Sequence, residues 1–151
     1  MGLAAVAITL TVTVTASAFA RAGGRSADQT YPVASALCAK AKAATLPAKL
    51  ASHVAAVSTA CDTLENAFGS LVSMVDAAEA TLLSTVSVQK VLVASVCPKS
   101  VGTRTACATA RATATSTDMA ARTTEQAAVA AYHTGIDANR MTFWSTGSAL
   151  R

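Results

Sequence analysis

LASHVAAVSTACDTLENAFGSLVSMVDAAEATL, from Leu50 to Leu82, decides the fold. Its apolar residues are Leu50, Val54, Val57, Cys61, Leu64, Phe68, Leu71, Val75, Ala78 and Leu82, and the steps between them alternate between four and three. That alternation is the period of one helix face. Strands repeat every two residues and rarely exceed ten. The stretch therefore predicts one helix, about 50 Å long at 1.5 Å per residue. Such a length exceeds the width of a compact domain of this size, so the element is elongated and coiled-coil-like. A single amphipathic helix is marginal in water. The seam therefore needs a partner helix, in this chain or in another.

The chain itself offers one. TACATARATATSTDMAARTTEQAAVAAYHTG, Thr105 to Gly135, has a seam phase of Cys107, Ala110, Ala114, Thr117, Ala121, Thr124, Ala128 and Ala131. All of these are small, which lets a bulky seam on the facing helix sit close. Gly135 is expected to weaken or end this helix. Between the arms, Val86 to Val96 is β-branched and partly alternating, and its periodicity fits either more helix or a short strand. Cys97-Pro98-Lys99-Ser100-Val101-Gly102 then reads as a turn. The fold class expected is all-α: a long antiparallel helical hairpin with short flanking helices.

Upstream, helix pattern starts near Val33, with Leu37, Ala41 and Ala44 in phase, until Pro47 forces a kink or a break. If it is a break, Thr45 is a candidate N-cap for the next helix. Residues 21–32 contain Gly23-Gly24, Ser26 and Pro32 and read as a flexible leader. Before them, MGLAAVAITLTVTVTASAFA is uncharged and apolar and ends in Ala18-Phe19-Ala20, the small-x-small pattern that a signal peptidase cuts. The expected organisation is a signal peptide over 1–20, a leader over 21–32 and a helical-hairpin domain over 33–151. The expected location is secreted or cell-surface.

The four cysteines, Cys38, Cys61, Cys97 and Cys107, all follow that cleavage site, and an even number in a secreted chain favours two disulfides. Cys97 and Cys107 flank the turn and are placed to staple the top of the hairpin. Cys38 and Cys61 on one unbroken helix would be about 35 Å apart, far beyond a disulfide's reach. They meet only if the chain folds back at Pro47, and otherwise pair elsewhere or with another chain; the pairing expected is Cys97–Cys107 with Cys38–Cys61.

Composition narrows the function. Only 13% of residues are charged, against roughly 25% in ordinary domains, and aromatics are 4%. Ala, Thr, Ser and Val fill the difference, which suits closely packed helices. The net charge of +4 is scattered without a basic cluster or interleaved aromatics, so a nucleic-acid partner is not expected. No residues assemble the nucleophile, base and oxyanion donors of a catalytic site. His133 and Asp137 have the spacing of two ligands on one helix face, but no third ligand is near in sequence. Asp62, Glu65, Asp76 and Glu79 read as charges flanking a seam rather than as acid/base pairs. No catalytic, cofactor or metal site is expected. Met141, Phe143 and Trp144 form the densest aromatic patch, with Phe143 and Trp144 as candidate contact residues.

These pieces resemble a known family. ALCAKAKAATLPAKL (Ala36 to Leu50), with its Leu-Cys, Ala-rich stretch and Pro, followed by a long seam helix, a cysteine-flanked turn and a returning Ala-rich helix, resembles the N-terminal domain of the trypanosome variant surface glycoproteins. AAYHTGIDANRM (Ala130 to Met141) is similar to that family's Ala-Tyr-x-x-Gly-x-Ile-Asp segment through Ala131, Tyr132, Gly135, Ile136 and Asp137. The resemblance implies a fragment of that domain, without the family's cysteine-rich domain and lipid-anchor signal. It implies a non-catalytic surface coat that shields a cell from antibodies, dimerised through the hairpin, with membrane attachment only through the missing anchor. The dimer core would be the seam: Leu50, Val54, Val57, Leu64, Phe68, Leu71, Val75 and Leu82. The alternative expectation is a secreted helical module that binds a peptide, lipid or small hydrophobe beside Phe143 and Trp144. An enzyme ranks third.

Overall fold

A computed structural model describes residues 26–43, 45–97 and 104–148. Among them every regular element is a helix: α1 (Ala27–Thr30), α2 (Pro32–Lys42), α3 (Ala48–Ala51), α4 (Val54–Val96) and α5 (Arg104–Ser148). The expected signal peptide, Gly23-Gly24 and the Pro98–Gly102 turn lie outside the described residues. α4 and α5 form the helical hairpin, each about 65 Å long, and α2 packs against the part of α4 that follows its first turn.

Helical structure begins within the stretch expected to be a flexible leader. Ser26 caps α1, its hydroxyl oxygen accepting from the Gln29 amide at 3.2 Å. Pro32 then opens α2 at a position where its missing N–H costs nothing. Between them Tyr31 is buried, and its hydroxyl donates to the Ile136 carbonyl of α5 at 3.4 Å. An aromatic ring that plugs the core anchors a segment whose composition alone argues for disorder.

Pro47 produces a break rather than a kink, and α3 is a single turn after it. Thr45 does not cap the following helix. Its amide and its hydroxyl both donate to the Lys40 carbonyl, closing the C-terminal end of α2 instead. The long helix starts at Val54, so Leu50 belongs to α3 and not to the seam helix. Val54 itself is exposed. Val57, Cys61, Leu64, Phe68 and Val75 are buried, and Leu71 packs against that core. Val86 to Val96 continues the helix.

The returning helix also runs longer than its pattern suggests, through Gly135 to Ser148. Gly135 serves close packing there. A Cβ at this position would lie 2.6 and 2.8 Å from the two terminal carbons of Leu71. Those carbons end a rotatable side chain, so Gly135→Ala is expected to displace Leu71 while gaining about 1 kcal/mol of helix propensity. The expected net change is within about 1 kcal/mol, whereas Gly135→Leu overpacks the site and costs about 1–3 kcal/mol. Urea denaturation of the two variants checks both values.

The α5 seam departs from strict heptad phase. Thr124 and Ala131 are exposed, and Glu125 and Tyr132 turn inward instead. A helix with 3.6 residues per turn drifts about 20° per heptad from a 3.5 repeat. The shift brings Tyr132, Ile136 and Phe143 against the α4 core, so the seam is aromatic at one end and methyl-lined at the other. Thr115, Thr117, Thr123, Thr124 and Thr134 donate their hydroxyls to carbonyls one turn back.

The hairpin consequently has two unequal halves. In the proximal half α2 adds a third layer, and Tyr31, Ala34, Cys38, Ala41, Tyr132 and Phe143 close around the α4 core. In the distal half, beyond Val75 on α4, the only buried residue among those described is Ala114.

Candidate functional site

Two disulfides pin the hairpin. Cys38–Cys61 ties α2 to α4, and Cys97–Cys107 ties the two arms together at the tip. Both pairings are those expected from the sequence. The break at Pro47 supplies the chain reversal that Cys38 needs to reach Cys61. Two such bridges suit an oxidising compartment.

At the proximal core, Phe68 stands edge-on to Tyr31 at 5.8 Å and to Tyr132 at 6.5 Å. Such edge-to-face contacts add to the area they bury. Burial pushes the Tyr31 phenol above the usual tyrosine range, with the Asn139 side chain acting in the opposite direction. The cluster is apolar and closed, and it presents no reactive group to solvent.

The candidate contact patch divides. Phe143 is a core residue, 5% exposed, because the seam drift turns it onto α4. Trp144, one residue on, is 44% exposed and lies edge-on to Phe143 at 5.1 Å. Trp144 borders a groove of about 290 Å³ with Pro32, Val33, Leu64 and Arg140. A second groove of about 300 Å³ runs between α4 and α5 past Ala60, Thr63, Ala67 and Thr142. A third, more open groove of about 530 Å³ near the tip carries Lys90, Arg111 and Asp118.

Two ion pairs lie on the surface, while Asp76 and Asp118 each bury one carboxylate oxygen that has no hydrogen-bond partner among the described residues. Asp137 accepts from Arg140 at 2.9 Å, while the exposed His133 ring rests edge-on to Tyr132 at 5.6 Å. Glu65 accepts from Lys42 at 2.8 Å, which raises the Lys42 pKa and links α2 to α4 across an exposed surface. Among the described residues no three His, Cys, Asp or Glu side chains gather around a common point.

The distal flank of α4 is the feature that sequence reasoning missed. Val88, Leu92 and Val96 recur every four residues, with Val91 beside them, and all four are exposed. Leu83 is also exposed. Here α4 is apolar nearly all round, a pattern of helices with more than one neighbour, yet among the described residues only α5 packs along it. The signal was present in VSVQKVLVASV, where β-branching obscured the helical phase. By length and composition α4 is also apolar enough to cross a membrane, and little of that apolar stretch is buried. Its seam, however, faces α5 and α2, and Asp62, Glu65, Asp76, Glu79 and Lys90 flank that seam along the helix.

Comparisons with protein-family models, with curated proteins and with solved structures give no match for this chain.

Proposed function

We propose that this chain is a non-catalytic helical protein of a secreted or cell-surface coat, acting as a shield in immune evasion. The carrying observation is the elongated, doubly stapled hairpin with an uncovered apolar flank on distal α4. A coat needs height, resistance to unfolding and lateral packing. The α4–α5 pair supplies height. The two bridges supply resistance. The flank of Val88, Val91, Leu92 and Val96 supplies a surface that pairs with the same surface of a second copy about a two-fold axis, the commonest symmetry of homodimers. The dimer core in this reading is the distal flank. The proximal seam residues expected to form it, Val57, Leu64, Phe68 and Val75, are already used within one chain. The resemblance of Ala36–Leu50 and Ala130–Met141 to variant surface glycoproteins points the same way.

Sedimentation equilibrium of the disulfide-intact chain tests this reading. A dimer is expected for the wild type and a monomer of unchanged helicity for Val91→Asp/Leu92→Asp. A monomeric wild type at tens of micromolar, or a dimer indifferent to these changes, contradicts it. Binding of wild-type protein to neutral lipid vesicles, lost in the same variant, would assign the flank to a membrane instead.

The second reading, a secreted module that binds a peptide, lipid or small hydrophobe, is favoured by one observation: half-exposed Trp144 beside the groove of Val33 and Arg140. Quenching or a blue shift of Trp144 fluorescence with a panel of fatty acids and apolar peptides would support it. Trp144 is the only tryptophan in the chain, so the signal has a single source.

A further inference from the structure

The two disulfides stand in opposite surroundings. Cys61 and Cys38 are 1% and 4% exposed, inside the proximal core. Cys97 and Cys107 are half-buried at the tip, where Val96 is exposed on the preceding turn. Between the tip and Val75, Ala114 alone is buried among the described residues. The proximal half thus has a packed three-layer core and a protected bridge, and the distal half has an accessible bridge and almost no core.

The geometry points to a thiol-controlled opening of the distal hairpin: Cys97–Cys107 is a latch that a dithiol reductant releases while Cys38–Cys61 stays closed. This inference stands on the hairpin alone and does not depend on the coat reading. A reductant thiolate attacks one tip sulfur, the Cys97–Cys107 bond breaks, and the departing cysteine thiolate takes up a proton. The second thiol of the reductant then displaces the remaining cysteine from the mixed disulfide. Two electrons pass to the protein, two cysteine thiols form, and the reductant leaves as a disulfide. Access decides which bridge exchanges first. Cys61 is closed to a bimolecular attack until the proximal core opens.

Freed of the latch, the distal arms are held by a methyl-lined seam and by helix propensity. The β-branched residues of Val86–Val96 and the threonines of α5 contribute little to the latter. Segments with few buried contacts open at low free energy. The expected product is a molecule whose proximal bundle remains folded while the ends of α4 and α5 separate and fray.

The experiment is graded dithiothreitol treatment of the full oxidised chain, trapping with N-ethylmaleimide and peptide mapping, with hydrogen exchange on the same samples. Cys97 and Cys107 are expected to label at least about tenfold faster than Cys38 and Cys61. Once they are labelled, amides of 80–96 and 104–122 are expected to lose protection while those of 57–75 and 128–143 keep it. Cys97→Ser/Cys107→Ser, without reductant, is expected to show the same distal loss. Simultaneous reduction of both bridges, earlier reduction of Cys38–Cys61, or full distal protection in the reduced protein and in the double variant would each overturn the proposal.

Discussion

Phe68→Asp is expected to abolish cooperative folding of the hairpin. Phe68 is 7% exposed and is the shared partner of Tyr31 and Tyr132, so three segments meet on one ring. Truncating a buried phenylalanine to alanine already costs about 3–5 kcal/mol. Aspartate adds a carboxylate to an apolar cluster that offers it no cation, and that group must either stay protonated or draw water into the core. Domains of this size hold about 5–15 kcal/mol in total. Thermal unfolding followed by circular dichroism is expected to show a sharp transition for the wild type and a weak, non-cooperative slope for the variant. Phe68→Leu, which keeps most of the volume, is expected to lose only about 1–2 kcal/mol. A variant carrying aspartate that melts like the wild type would mean that Phe68 is not in the core.

The second large effect is expected from Cys38→Ala/Cys61→Ala. The bridge spans a sequence separation of 23, and loop closure of that length is worth about 3.5 kcal/mol by chain entropy. α2 has little else to hold it. Its buried contributions are Ala34, Ala41 and the adjoining Tyr31, and Lys42–Glu65 is an exposed ion pair of slight value. A fall in melting temperature of about 10–15 °C is expected from that loss. Ultraviolet titration supplies a local readout. In the wild type, Tyr31 ionises above the usual tyrosine range because it is buried. Its raised value means that the folded state keeps the phenol proton more tightly than the unfolded one. The associated stability is present below the unfolded value near 10 and is lost as pH rises through the folded one. With α2 released, Tyr31 is expected to titrate normally. An unchanged melting temperature with Tyr31 still shifted would show that packing alone docks α2.

The sequence carries the hairpin well because its signals are local. The three-four spacing of Val57, Cys61, Leu64 and Phe68 specifies a helix and its buried face together, and Cys97 and Cys107 mark the turn. Four features were less legible, each for a physical reason. Tyr31 sits in a segment rich in Gly, Ser and Pro, and only the core of α4 and α5 gives its ring a place, so local composition points the wrong way. Gly135 reads as a helix terminator by propensity, yet Leu71 occupies the space that a side chain would need, a fact that exists only once two helices are paired. Phe143 and Trp144 look equivalent in sequence, and they part because accumulated drift between the helix period and the heptad sends one inward and the other outward. The uncovered flank of Val88–Val96 was illegible for the opposite reason: its residues favour burial, and the chain supplies no segment among those described to bury them.

Small-angle X-ray scattering of the oxidised full chain, extrapolated to infinite dilution, tests most directly the central claim, a thin two-helix rod thickened at one end by α2. The helix lengths of α4 and α5 predict a maximum dimension of at least about 65 Å and a radius of gyration near 20 Å. A radius of gyration of about 15 Å, the value for a compact domain of this length, with a symmetric pair-distance distribution, would contradict it.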